Sequence, residues 1–145
     1  MQNDEKTESY SLDTNCEQTQ LSISNISVSE SDVGIGNPYN TYFTVRVKSG
    51  DFERVSNFEY DIKDFLDFIR SLKDLYDFKV DCVELNDIGY GSKIEFSMGK
   101  TGLLGVSGII YGGAREHSLE FNFGTDQTAL EHFSRRLYND FIGNM

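Results

Sequence analysis

Short runs in which hydrophobic and polar residues alternate, each closed by a tight turn, constrain this chain more than any other feature. Leu21 and Ile23 alternate with serines, and Ile26 and Val28 resume in the opposite phase, as a bulge near Ser24-Asn25 would produce. Gly34-Ile35-Gly36-Asn37-Pro38 then reads as a turn. Phe43, Val45 and Val47 share one face, with Tyr42, Thr44 and Arg46 opposite, and Ser49-Gly50-Asp51 turns the chain into a further strand over 52–60. Four more runs follow: Val80-Cys82 with Leu85, Ile94-Phe96-Met98, Leu104-Val106-Ile110 and Leu119-Phe121-Phe123. Parallel pairing needs crossovers of about a dozen residues, and these connections are too short for that. The strands are therefore expected to pair as antiparallel hairpins.

Two segments break the alternation. Asp61 can cap a helix over 62–76, in which Ile62, Phe65, Leu66, Phe68, Ile69, Leu72, Leu75 and Tyr76 fill one half of the helical wheel. Asp126 or Thr125 can cap a second helix with a narrow stripe of Leu130, Phe133, Leu137 and Phe141, of the kind that packs on a sheet. The expected fold is α+β: a mainly antiparallel, twisted sheet of about six to seven strands with two amphipathic helices, in the order βββ-α-ββββ-α. The 145 residues suit one domain. Residues 1–19 hold five acids and only Tyr10, Leu12 and Cys16 as anchors, so they read as a flexible acidic tail ahead of a domain over 20–145. On that reading, truncation to Gln20 leaves the melting temperature nearly unchanged.

Charge narrows the partners. Thirteen Lys+Arg against 24 Asp+Glu give a net charge of −11, which repels phosphate backbones and anionic lipid and attracts a basic protein. Within the domain, residues 51–87 hold 11 acids and five bases, whereas 88–145 hold six and five. On the first helix Asp64, Asp67 and Asp74 crowd into an arc of roughly 80° opposite the apolar half, flanked by Lys63 and Arg70. These three, with Asp77, Asp81, Glu84 and Asp87 after the helix, are the candidate partner-binding residues, against the plainer reading of a solvated acidic face.

Motifs for catalysis are missing. His117 and His132 have no second imidazole at metal-binding spacing, and two cysteines, Cys16 and Cys82, are too few for a zinc site or a disulfide scaffold, so no metal or cofactor and a reducing, cytoplasmic compartment are expected. No basic start leads into an apolar stretch, and no run reaches 18 apolar residues, which argues against an export signal or a membrane span. Ser107 lies within a strand pattern, where a nucleophile elbow needs strand, turn and helix. Gly34-x-Gly36 and Gly89-x-Gly91 lack the third glycine and the helix of a phosphate loop, and Gly102, Gly105 and Gly108 read as bulges or a tight bend. Tyr39, Tyr42, Tyr90, Tyr111 and Tyr138 fall at turns or on less apolar faces, where tyrosine is ordinary but also suits a protein interface.

Residues 102–137 carry a recognisable sequence: Gly105-Val106-Ser107-Gly108, then His117-Ser118-Leu119-Glu120-Phe121-Asn122-Phe123, then Asp126-Gln127-Thr128-Ala129-Leu130 and Phe133. This resembles bacterial immunity proteins of the WapI type, in which an L-x-F-x-F strand precedes D-Q-T-x-L and an amphipathic helix. The helix over 65–75 with Val80-Asp81-Cys82-Val83-Glu84-Leu85 is similar to that family's middle section, so the likeness spans roughly residues 40–145. It implies a non-enzymatic, cytoplasmic inhibitor from a contact-dependent competition system, which binds a cognate toxin domain one to one and occludes its active site. A nuclease suits an acidic inhibitor, because a cleft built for phosphate is positive. Two alternatives from other classes stay open: a small α+β ligand-binding module, and an enzyme with an unrecognised carboxylate site.

Overall fold

A computed structural model describes residues 4–112 and 116–143. Its elements, in chain order, are β1 (Asp4–Asp13), β2 (Thr19–Val28), α1 (Glu30–Gly34), β3 (Thr41–Ser49), β4 (Phe52–Tyr60), α2 (Ile62–Tyr76), β5 (Cys82–Asn86), β6 (Lys93–Met98), β7 (Leu103–Gly112), β8 (His117–Asp126) and α3 (Gln127–Phe141). The fold is α+β and wholly antiparallel, as the short connections require. Among the described residues it holds eight strands in two four-stranded meanders, β1-β2-β3-β4 and β5-β6-β7-β8, where a single sheet of about six to seven strands was expected.

The additional strand corrects the reading of the N-terminus. Residues 4–13 pair with β2 from Asp4 opposite Val28 to Asp13 opposite Gln20, with a shift of register between Lys6 and Ser9, and Tyr10 and Leu12 are completely buried. Burial of those two side chains, together with the ladder of main-chain hydrogen bonds, offsets the ordering entropy that a sparse hydrophobic content seemed unable to meet. Residues 1–3 of the expected tail lie outside the described residues.

The bulge expected in β2 is present: the register with β3 shifts between Ser24 and Ser27, and Asn25 takes a left-handed φ of 55°. Asn is among the few non-glycine residues that tolerate that conformation. The slip lets Leu21 and Ile23 on one side of it and Ile26 on the other all reach the core. In β7 the register with both neighbours runs without a shift, so Gly105 and Gly108 mark no bulge. Gly108 marks a close approach of main chains instead, since a Cβ there would collide with the Lys93 carbonyl oxygen and lie 2.9 Å from the Ile94 Cα.

α2 covers the span the periodicity predicts. Asp61 caps it by accepting from the Lys63 N–H (3.1 Å), and the buried Asn40 holds the same end, its side-chain oxygen accepting from the Ile62 N–H (2.8 Å). Its C-terminus closes as a Schellman turn: Lys79 N–H donates to the Asp74 carbonyl (2.8 Å) and Phe78 N–H to the Leu75 carbonyl (3.1 Å), which puts Phe78 at φ 60°. α2 packs on α3 and along β5, α3 packs along β1, and on the other side β4 lies against β7 and β8. Both sheets and both helices thereby share one core, with Phe65 of α2 in ring contact with Phe43 of one sheet and Phe141 of α3, and Phe96 of the other sheet touching Phe68 and Phe133. Among the described residues no helix is long and apolar enough to cross a membrane.

Candidate functional site

An open groove of about 480 Å³ runs between α2 and β5. Asp64, Asp67, Phe68 and Ser71 form its helix wall, Cys82, Val83, Glu84 and Asn86 its strand wall, and Val80 and Ile88 close its ends. The wall residues follow from the two periodicities. On α2 the polar positions sit one turn apart beside the buried Phe68, and on β5 the even residues point out while Val83 and Leu85 point into the core.

Three of the seven predicted partner-binding residues meet here, namely Asp64, Asp67 and Glu84. Asp67 is engaged by Arg70 one turn on (3.1 Å), and Glu84 by Lys93 across the sheet (3.2 Å). Hydrogen bonds from Asn86 and Lys93 hold the Glu84 carboxyl below its ordinary pKa. Among the described residues the Asp64 carboxylate has no hydrogen-bond partner. At the back of the groove Tyr60 is 5% exposed, and its hydroxyl oxygen accepts from the Asn86 N–H (2.6 Å). Burial pushes the Tyr60 phenol up to about 12. Cys82 donates its thiol to Glu95 (2.8 Å), and burial followed by that hydrogen bond raises its pKa.

The other four predicted residues lie elsewhere. Asp74 and Asp77 belong to the far end of α2, where Asp77 pairs with Lys73 (3.2 Å) beside Glu131 and Arg135 of α3. Asp81 is exposed ahead of β5, and its carbonyl accepts from Met98 N–H (3.1 Å). Asp87 is a correction: it is 4% exposed and unavailable to a partner. Its carboxylate accepts from the N–H groups of Glu59 (2.8 Å), Gly89 (2.9 Å) and Tyr90 (2.9 Å), which binds the β5–β6 turn onto β4. An Asp followed by Ile-Gly-Tyr-Gly was a legible signal for such a turn-closing role.

Tyrosines extend the surface beyond the groove. The Tyr39 hydroxyl donates to the carbonyl of Ile88 (3.5 Å), the Tyr42 hydroxyl to the carbonyl of Tyr39 (3.0 Å), and Tyr42 and Tyr90 line one hollow with Asn57 and Glu59. Burial, then the nearby Asp32 and Glu59 charges, raise the Tyr42 pKa. All three rings are exposed, as are Val80 and Ile88. Tyr111 and Tyr138 are half-buried. The result is an apolar and aromatic strip edged by carboxylates. Among the described residues no group of His, Cys, Asp and Glu could hold a metal ion. Set against protein-family models, curated proteins and solved structures, the chain has no match in any of the three.

Proposed function

We propose that this chain is an immunity protein of the WapI type, a non-enzymatic cytoplasmic inhibitor that binds a basic toxin domain one to one and blocks its active site. The observation that carries the reading is the α2–β5 groove with its tyrosine strip, where Asp64, Asp67 and Glu84 surround exposed Val80 and Ile88. A net charge of −11 supports a cationic partner and opposes nucleic acid, since a toxin cleft that holds phosphate is itself positive. The motif resemblance in 102–137 supports the class of partner, while the groove supports the surface.

A basic toxin domain encoded immediately upstream of this chain is expected, and co-expression with it tests the reading. The wild-type chain rescues growth, and Asp64→Lys with Asp67→Lys weakens binding by roughly tenfold or more, because like charge then faces the toxin at close range. Asp74→Lys with Asp77→Lys, outside the groove, leaves binding within about threefold, the size of a long-range screened effect. Absence of rescue by the wild-type chain overturns the function, and equal loss in both pairs overturns the surface.

A further inference from the structure

The main chain of β5 carries a pattern that the side chains do not reveal. In the β5–β6 ladder, Asp81 accepts from Met98 N–H (3.1 Å) and Asp87 donates to the Ser92 carbonyl (2.8 Å), with Cys82 opposite Ser97 and Asn86 opposite Lys93. Hydrogen-bonded pairs alternate in an antiparallel ladder, so Asp81, Val83, Leu85 and Asp87 face β6. The N–H and C=O groups of Cys82, Glu84 and Asn86 therefore point away from the sheet, into the groove beside α2. The Asn86 N–H confirms the phase, since it is the donor to Tyr60 (2.6 Å). Among the described residues the outward main-chain groups of Cys82 and Glu84 take no hydrogen bond from the protein.

The free edges of the other sheet are occupied at several points. On β1 the Ser9 carbonyl accepts from Arg136 (3.0 Å) and the Asp13 carbonyl from Thr125 (2.7 Å). On β4 the Glu59 N–H and carbonyl are taken by Asp87 (2.8 Å) and the Ile88 N–H (3.1 Å). β5 has no proline, outward lysine or bulge to guard its edge. Its walls carry carboxylates on both sides, Glu84 on the strand and Asp64 and Asp67 on the helix.

We propose that β5 is a strand-addition site: an extended, Lys- or Arg-bearing segment of the partner pairs antiparallel or parallel with the Cys82–Asn86 edge, its main chain bonded to Cys82 and Glu84. This rests on the groove being the partner surface and names the mode of recognition within it. Main-chain pairing supplies affinity along the edge and the acidic walls select a basic segment. A second copy of this chain is disfavoured as occupant by like charge, each bringing a net −11.

The probe is a capped peptide of alternating lysine and valine, about eight residues long, enough to span the five residues of β5. Titrated into the full chain, it shifts the amide resonances of Cys82 and Glu84 and slows their hydrogen exchange. The same peptide N-methylated at alternate residues loses those donors and binds at least roughly tenfold more weakly. In the protein, Glu84→Pro removes from the main chain only an outward N–H, which an edge strand tolerates, and it weakens binding roughly tenfold, whereas Glu84→Gln, the control for the carboxylate that both variants lose, does so by less than about threefold. Unmoved Cys82 and Glu84 amides, or equal binding of the N-methylated peptide, overturn the proposal without need of any variant. Protection of these amides by raising the concentration of the chain alone assigns the edge to a second copy and overturns it as well. Rescue from the toxin is read independently, so loss of strand addition with retained rescue leaves the immunity reading standing.

Discussion

Asp87 and Tyr60 show how single side chains hold the groove in place. Asp87 satisfies three main-chain donors, one on β4 and two in the β5–β6 turn, so Asp87→Ala leaves three part-buried N–H groups without their acceptor and costs about 2 kcal/mol, measured by urea unfolding. The β5–β6 turn should then exchange its amides faster while the rest of the molecule does not. Tyr60 predicts a pH dependence. Its phenol ionises at about 12 in the folded chain against 10.0 when exposed, so the folded state holds its proton more tightly. That stability is fully present below pH 10 and is lost as pH rises toward 12. Tyr60→Phe should cost about 1 kcal/mol at pH 8, by orphaning the Asn86 N–H, and flatten the decline above pH 10 in urea titrations. Phe78 occupies a left-handed position and is half exposed, so Phe78→Gly should raise stability by about 0.5–1 kcal/mol in the same assay.

β1 and β7 are the elements whose roles differ most from their sequence appearance. A chain begun at Gln20 loses Tyr10 and Leu12 from the core and leaves β2 with an unpaired edge beneath α3. The lost side-chain burial alone is worth about 4 kcal/mol, so the melting temperature should fall by about 10 °C or more in a calorimetric scan, where a dispensable tail would leave it unchanged. Tyr10 also donates to Asp140 (2.6 Å) and lies under the Arg136 guanidinium (5.0 Å), so α3 loses its seat together with the strand. In β7, Gly108→Ala places a methyl group against the Lys93–Ile94 main chain, which cannot yield without separating β6 from β7. A loss of about 2–3 kcal/mol is expected by urea unfolding, while Gly105→Ala, whose Cβ meets nothing closer than 3.9 Å, should cost less.

At the scale of the whole molecule, one core serves both sheets, so the groove is as rigid as the packing of α2 against Phe43, Phe96 and α3. A rigid surface binds with little ordering entropy, which under the proposed function suits an inhibitor that must act as soon as it meets its target. Charge sets the speed of that meeting. With a net −11 on the chain, association with a basic toxin domain should slow steeply as salt rises, in stopped-flow measurements across ionic strength. An unchanged rate would remove charge steering from the account.

The local pattern alone determined the antiparallel pairing, the Asp61 cap, the span of α2, the bulge beside Asn25 and the acidity of the 51–87 segment, because each depends on neighbours within a few residues, whereas the choice of Asp126 over Thr125 as the cap of α3 came from the structure. Tertiary structure alone decided the rest. Two buried side chains and a partner strand make β1 out of a sequence whose composition reads as a tail, since the offsetting contacts come from β2 and α3. The seven carboxylates look alike in the sequence, but folding sorts them: Asp87 goes inward to main-chain donors, Asp74 and Asp77 to the far end of α2, Asp81 to the exposed stretch ahead of β5, and Asp64, Asp67 and Glu84 to one groove. The free edge of β5 has no side-chain signature at all, because it consists of main-chain groups, and which of them point outward depends on the phase of the β5–β6 hydrogen bonds and on β5 lying at the margin of the assembled sheet.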